Sequence, residues 1–144
     1  MKVTSSRHAY SIFKKHLTRE VEEFWVMALN SQLEIIQMEM LFRGTVHSCP
    51  FHPRDLIRFL CLSNCSGFVI AHNHPSGNSR PSKEDRFITK KIHALAQLVD
   101  IKMNDHLILG KDCYFSFADA LLLKKFDQQI CKVTLNRFKS SGNY

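Results

Sequence analysis

No stretch of this 144-residue chain approaches the roughly 18 consecutive apolar residues that a membrane span requires, so no membrane association is expected. Its first residues, MKVTSSRHAYSIFKKH, have no apolar h-region, and a secretory signal is not expected there either. The five cysteines (Cys49, Cys61, Cys65, Cys113, Cys131) are odd in number and contain no C-x-x-C pair. That argues against a disulfide framework or a Cys-rich zinc knuckle and favours reduced thiols in the cytoplasm. Cys61 and Cys65 stand four residues apart, a spacing that predicts packing on one helix face. There is no internal repeat, no low-complexity tract, and no helix-turn-helix, RNA-recognition or zinc-finger pattern. The H-x-E and P-C-x-x-C of a cytidine deaminase are missing, as is the G-x-S-x-G of a serine hydrolase.

What is present is ordinary for one globular domain. Hydrophobic residues make up 44% and charged residues 23%, too apolar a mixture for a disordered chain. The length suffices for one domain with its own core. Bases outnumber acids, giving a net charge of +7. More than half of that excess lies after Leu121, where Lys124, Lys125, Lys132, Arg137 and Lys139 face the single acid Asp127. A second basic cluster is Arg80, Lys83, Arg86, Lys90 and Lys91. A solvated basic face is the plainer reading of both, and weak contact with nucleic acid through the basic tail is the sharper one.

Periodicity predicts an α/β domain. Residues 5–17 read as a helix, with Tyr10, Phe13 and Leu17 on one face. Phe24 to Leu29 and Leu33 to Phe42 read as an antiparallel hairpin around Asn30-Ser31, broken at Gly44, with Thr45-Val46 opening a further strand. Pro53 suits a helix N-terminus, followed by Leu56, Ile57, Leu60 and Cys61 and closed by Asn64 to Gly67. Phe68 to Ala71 reads as a buried central strand ending in His72-Asn73-His74-Pro75-Ser76-Gly77. Ser82 is a good N-cap for a helix with an apolar stripe at Ile88, Ile92, Leu95 and Val99. Strands over Asp105–Leu109 and Cys113–Ser116 and a helix from about Phe117 to Lys125 complete a mixed sheet with helices on it.

Chemistry gathers where the central strand ends, as it does in open α/β sheets. There the chain presents His72-x-His74, and Asp85 opens the next helix. Two imidazoles and one carboxylate leave a tetrahedral zinc ion one open position, the arrangement of a catalytic site. Taken singly, each residue has a plainer role: His72 as a satisfied histidine at a strand end, Ser82 and Asp85 as a capping box. The whole pattern H-x-H-x7-S-x2-D is harder to dismiss, since this composition would produce it by chance roughly 0.002 times per chain. His47 and His52 flank Cys49 but lack a third ligand at sensible spacing, and His106, beside Asp105, is expected to frame the site or pack.

These residues match the JAMM motif of the JAB1/MPN/Mov34 metalloprotease-type domains. The segments HNHPSGNSRPSKED and DHLILG, the Glu39-x4-Gly44-Thr45 stretch and the Pro53-Arg54-Asp55 helix start resemble the RadC-like family within that superfamily. The resemblance runs from about residue 20 to 120. It implies a single MPN-type, cytidine-deaminase-like fold, with a mixed central β-sheet flanked by helices. It also implies one Zn²⁺ held by His72, His74 and Asp85, with Glu39 as general base and Ser82 as donor to the oxyanion. Glu34 is a nearby competitor for the role of Glu39.

The expectation is therefore a cytoplasmic zinc-dependent metallohydrolase that cuts a peptide or isopeptide bond in a protein or peptide substrate. Residues 1–19 would form an N-terminal helical segment, 20–124 the MPN/JAMM domain and 125–144 a basic C-terminal tail. Full-length RadC-like proteins carry a helical, DNA-binding-like region ahead of this domain, and residues 1–19 offer at most one helix in its place. Two other readings stand beside the enzyme: a nucleic-acid-associated accessory protein using its basic surface, and an MPN scaffold whose site is vestigial.

Overall fold

The computed structural model describes residues 1–18, 20–44 and 52–140, with backbone alone from 132 onward. In chain order the elements are α1 (Ser6–Phe13), β1 (Glu22–Leu29), β2 (Ile35–Gly44), α2 (Pro53–Leu62), β3 (Gly67–Asn73), α3 (Lys83–Leu98), β4 (Lys102–Leu109), β5 (Tyr114–Ser116) and α4 (Leu122–Ser140). The five strands form one mixed sheet in the order β2-β1-β3-β4-β5. Among the described strands the one parallel pairing is β3 with β4, consecutive strands whose crossover is made by α3. The expected α/β architecture of a single domain is present.

Burial follows from this order. Every residue of the central strand β3 is buried, whereas β2, at an edge, has none buried. Side chains alternate across the sheet and build two apolar layers. Phe24, Val26, Phe68, Ile70 and Ile108 pack with Leu56, Leu60, Ile92, Phe117 and Phe126 from α2, α3 and the α4 region. On the other face Met27, Leu29, Val69 and Leu107 pack with Ala9, Ile12 and Phe13 of α1.

Several details differ from the sequence expectation. Strand β3 extends through Asn73, since His72 and Asn73 still find ladder partners in Phe24 and Leu109. Helix α2 ends at Leu62, with Asn64 in the left-handed region (φ 49°). Cys61 and Cys65 therefore do not share a helix face: Cys61 is exposed, while Cys65 is buried in the loop beyond. Helix α3 is rotated by roughly 75° from the expected stripe. Its buried residues are Asp85, Thr89, Ile92, His93 and Ala96, and Val99 is exposed. Polar side chains can turn inward there because partners await them. Phe117 is buried outside any helix, its N–H donating to the His106 carbonyl. Helix α4 starts after Leu121, whose φ of 59° breaks the chain direction, and continues to Ser140 with no Gly or Pro to stop it. The expected strand at Thr45-Val46, along with His47 and Cys49, lies outside the described residues.

Candidate metal centre

The end of β3 delivers two histidines in different ways. His72 still belongs to the ladder, facing the same side as Phe24, and is buried. His74 has left it. Its backbone N–H donates to the Leu109 carbonyl (3.0 Å), and its carbonyl accepts from Gly77 N–H (2.9 Å), closing a tight turn. Gly77 sits at φ 82°, where an L side chain is strained. Its carbonyl in turn accepts from Lys111 N–H at 3.0 Å. Gly110 makes this approach possible, since a Cβ there would lie 2.4 Å from Gly77 O. The opposite face of β3 is pinned by Asn73, which donates to the carbonyls of Thr18 and Val21 and accepts from Glu23 N–H.

Asp85 arrives from the first turn of α3. Ser82 caps the helix: its Oγ accepts from Asp85 N–H (3.0 Å), and Asp85 Oδ2 accepts from Ser82 N–H (2.7 Å), a complete capping box. The same carboxylate reaches both imidazoles, with Oδ1 3.0 Å from His72 Nε2 and Oδ2 3.3 Å from His74 Nε2. The two Nε2 atoms are 3.1 Å apart. Among the described residues this is the one group of three whose ligand atoms all lie within 4.8 Å of one another.

Charge is concentrated accordingly. Burial opposes ionisation of Asp85, but the adjacent His72 and His74 rings and the hydrogen bond from the Ser82 N–H outweigh it and hold its carboxyl well below the usual range. The Asp85 hydrogen bond raises the pKa of His74 against the pull of burial, with Glu22 on β1 adding a weaker effect of the same sign. His74 Nδ1 donates to the Asn78 carbonyl (2.8 Å), which leaves the neutral ring its lone pair on Nε2. Imidazole Nε2 atoms and a carboxylate are the donor set of zinc and similar divalent ions, and their crowding around one point fits such an ion.

A family model described as a RadC-like JAB domain matches residues 3–122. This chain belongs to the RadC-like JAB domain family. It is 44% identical over 105 residues to a UPF0758 protein of Pasteurella multocida, covering 73% of this chain and 47% of that one. It is 47% identical over 104 residues to the UPF0758 protein YeeS of Escherichia coli, covering 72% and 70%. It is 46% identical over 110 residues to a UPF0758 protein of Haemophilus influenzae, covering 76% and 48%. The chain thus spans about half the length of the Pasteurella and Haemophilus relatives.

In this RadC-like JAB domain, Glu39 stands outside the three-residue cluster. It is exposed on β2, opposite Val26, in the row that continues to Ile70. That row lies two residues along the strands from His72, about 7 Å, and β2 lies two strand spacings from β3, about 10 Å. Glu39 faces the same side of the sheet as His72, at the wall of a groove of about 360 Å³ that also meets Asp55 and Arg58 of α2. Glu34 pairs locally with Asn30 in the hairpin turn. Ser82 spends an oxygen lone pair on the cap, while its hydroxyl hydrogen has no acceptor among the described residues.

Sequence reasoning missed Thr89 and understated His106. His106 is fully buried, its Nε2 2.8 Å from His72 Nδ1 and its Nδ1 2.6 Å from Thr89 Oγ1. Burial first, and then repulsion from His72, push its pKa well below the ordinary value. The available signal was Thr89 one helical turn after Asp85, on the same face. Asp105, just before, is buried too; burial pushes its carboxyl up to about 6, although Ser116 Oγ and the Ala118 and His106 N–H groups donate to it.

Proposed function

We propose that this domain is a zinc-dependent hydrolase of peptide or isopeptide bonds, with His72, His74 and Asp85 holding one ion. The observation that carries the reading is the meeting of two imidazole Nε2 atoms and a carboxylate within 3.0 to 3.3 Å of one another. When bound, an ion of this kind supplies Lewis acidity, polarising a carbonyl and lowering the pKa of water to about 7. Glu39 accepts the proton of the attacking water and passes it to the nitrogen as the C–N bond breaks. Ser82 donates its spare hydroxyl hydrogen to the carbonyl oxygen as charge builds there, a contribution of about 3 kcal/mol for one well-placed donor. The substrate is a protein or peptide, and the site of action is the cytoplasm.

The experiment is metal analysis of the purified protein beside His72→Ala and Asp85→Ala, followed by assay of the zinc-loaded protein on peptide and isopeptide substrates. The expected result is one zinc per chain in the wild type, near none in the variants, and cleavage by the wild type alone. Zinc content equal in all three overturns the assignment of the ligands, and a zinc-loaded wild type that cleaves no amide overturns the hydrolase.

A second reading rests on a separate surface. Arg80, Lys83, Arg86, Lys90 and Lys91 have no ion-pair partner among the described residues, and Phe87, among them on α3, is 71% exposed. Cations around an exposed ring suit contact with a single-stranded nucleic acid. Such binding weakens steeply as salt rises, and a Lys90→Ala/Lys91→Ala double variant lowers it; binding indifferent to both sinks this reading. No helix among the described residues is long and apolar enough to cross a membrane.

A further inference from the structure

Two residues lie behind the candidate ligands and do not face the space between them. The hydroxyl of Thr89 contacts the carbonyl of Asp85, one turn earlier in α3, and also His106 Nδ1. A carbonyl only accepts, so the single hydroxyl hydrogen goes to Asp85 O, and Thr89 must accept from His106 Nδ1–H. The His106 ring is fully buried and stacks on Phe117 at 4.9 Å, and its two nitrogens are taken by Thr89 and His72. A neutral ring protonated at Nδ1 carries its lone pair on Nε2, which therefore accepts from His72 Nδ1–H at 2.8 Å. The proton on the back of His72 is thus dictated from α3, through two side chains that never enter the centre.

We propose that Thr89 and His106 are positioning residues that hold the proton of His72 on Nδ1 and so present its Nε2 to the ion. The relay begins at the backbone of Asp85 and ends at the ring of His72, so one hydroxyl ties together two of the three ligands supplied by different elements. Partners that fix a ligand's tautomer and orientation in this way change metal affinity by 10- to 100-fold on removal. The effect on the ion rests on the metal-binding reading above; the tautomer does not.

The test uses ¹⁵N-labelled full-length protein, with histidine nitrogens read by NMR in the metal-free state and zinc affinity measured by chelator competition. In the wild type His72 is protonated at Nδ1 and His106 is unprotonated at Nε2. In Thr89→Val, His106 loses its Nδ1 acceptor and takes the Nε2–H form. His72 then moves its proton to Nε2, toward Asp85, and zinc affinity falls by about 10- to 100-fold. Thr89→Ser restores both the tautomer and, within about threefold, the affinity. His72 unprotonated at Nδ1 in the wild type overturns the proposal. So does a Thr89→Val protein that melts earlier but keeps wild-type tautomers and affinity, since that is a structural role only. A wild type with the stated tautomers and no affinity for zinc supports the relay and overturns the metal-binding reading instead.

Discussion

The two halves of the sheet treat polar side chains in opposite ways. In the β3-α3-β4-β5 half, His72, Asn73, Asp85, Thr89, His93, Asp105, His106 and Ser116 are all buried, each with a hydrogen-bond partner. In the β1-β2-α2 half, Glu23 is the one buried polar residue among those described, and Glu39 stands in the open on an edge strand. Burying an unpaired polar group costs several kcal/mol, so polar residues enter a core only where their partners are built in with them. The first half therefore holds His72, His74 and Asp85 in a preorganised cluster. The second leaves its acids Glu22, Glu39 and Asp55 open to water.

The largest expected effect comes from the open half. On the proposed hydrolase reading, Glu39→Gln keeps the shape and removes the base, so kcat on a cleavable amide falls by about 10²- to 10⁴-fold while stability stays within about 0.5 kcal/mol of wild type. Steady-state kinetics beside a urea melt checks both. An unchanged kcat would pass the role of base to another group, Glu34 or Glu22 first.

Next in size is Asp105. Its folded pKa of about 6 lies above the ordinary 3.8, so the fold favours the protonated acid. That stabilisation is complete below about pH 4, is lost as pH rises through 6, and is flat above. Its span is about 3 kcal/mol. In urea melts from pH 4 to 7, Asp105→Asn, which cannot ionise, should lack this decline and gain on the wild type as pH rises.

Gly110→Ala tests how firmly the ligand half is held. The new Cβ would meet Gly77 O at 2.4 Å and Cys113 Sγ at 2.6 Å. Backbone must move, at a cost of about 1–3 kcal/mol, and the turn carrying His74 moves with it. The melting temperature should drop by about 3–10 °C, with weaker zinc binding, and calorimetry with zinc titration reads both. The smallest effect is at Cys61→Ser. This exposed site on α2 should change stability by no more than about 0.5 kcal/mol, whereas the neighbouring buried Leu60, cut to Ala, should lose about 2–5 kcal/mol.

Much of this was legible without coordinates. The element order, the hairpin, the Pro53 helix start and the Ser82 cap all follow from local rules of turn, cap and alternation. His72, His74 and Asp85 were legible as a group because their spacing is a pattern along the chain, and the structure brings these three together. The inward face of α3 was misjudged because an apolar stripe was sought, when Asp85, Thr89 and His93 on the buried face have partners on β3, β4 and α4 respectively that the helix sequence does not disclose. Thr89 escaped notice for the same reason: a threonine in a helix is unremarkable until a buried histidine from a distant strand meets its hydroxyl. Phe117 was read into a helix because an apolar residue looks alike in a helix and in a buried bend.

By itself, the sequence determined which residues could serve as ligands, the order of strands and helices, and that one layered α/β domain would form. These depend on neighbours within a few positions, where backbone sterics and capping act. Only the tertiary structure decided which nitrogen of each imidazole faces Asp85, how far Glu39 stands from the histidines, and which side of α3 is inside. Those depend on residues 11 to 34 positions apart meeting at hydrogen-bond distance, and no local rule contains that information.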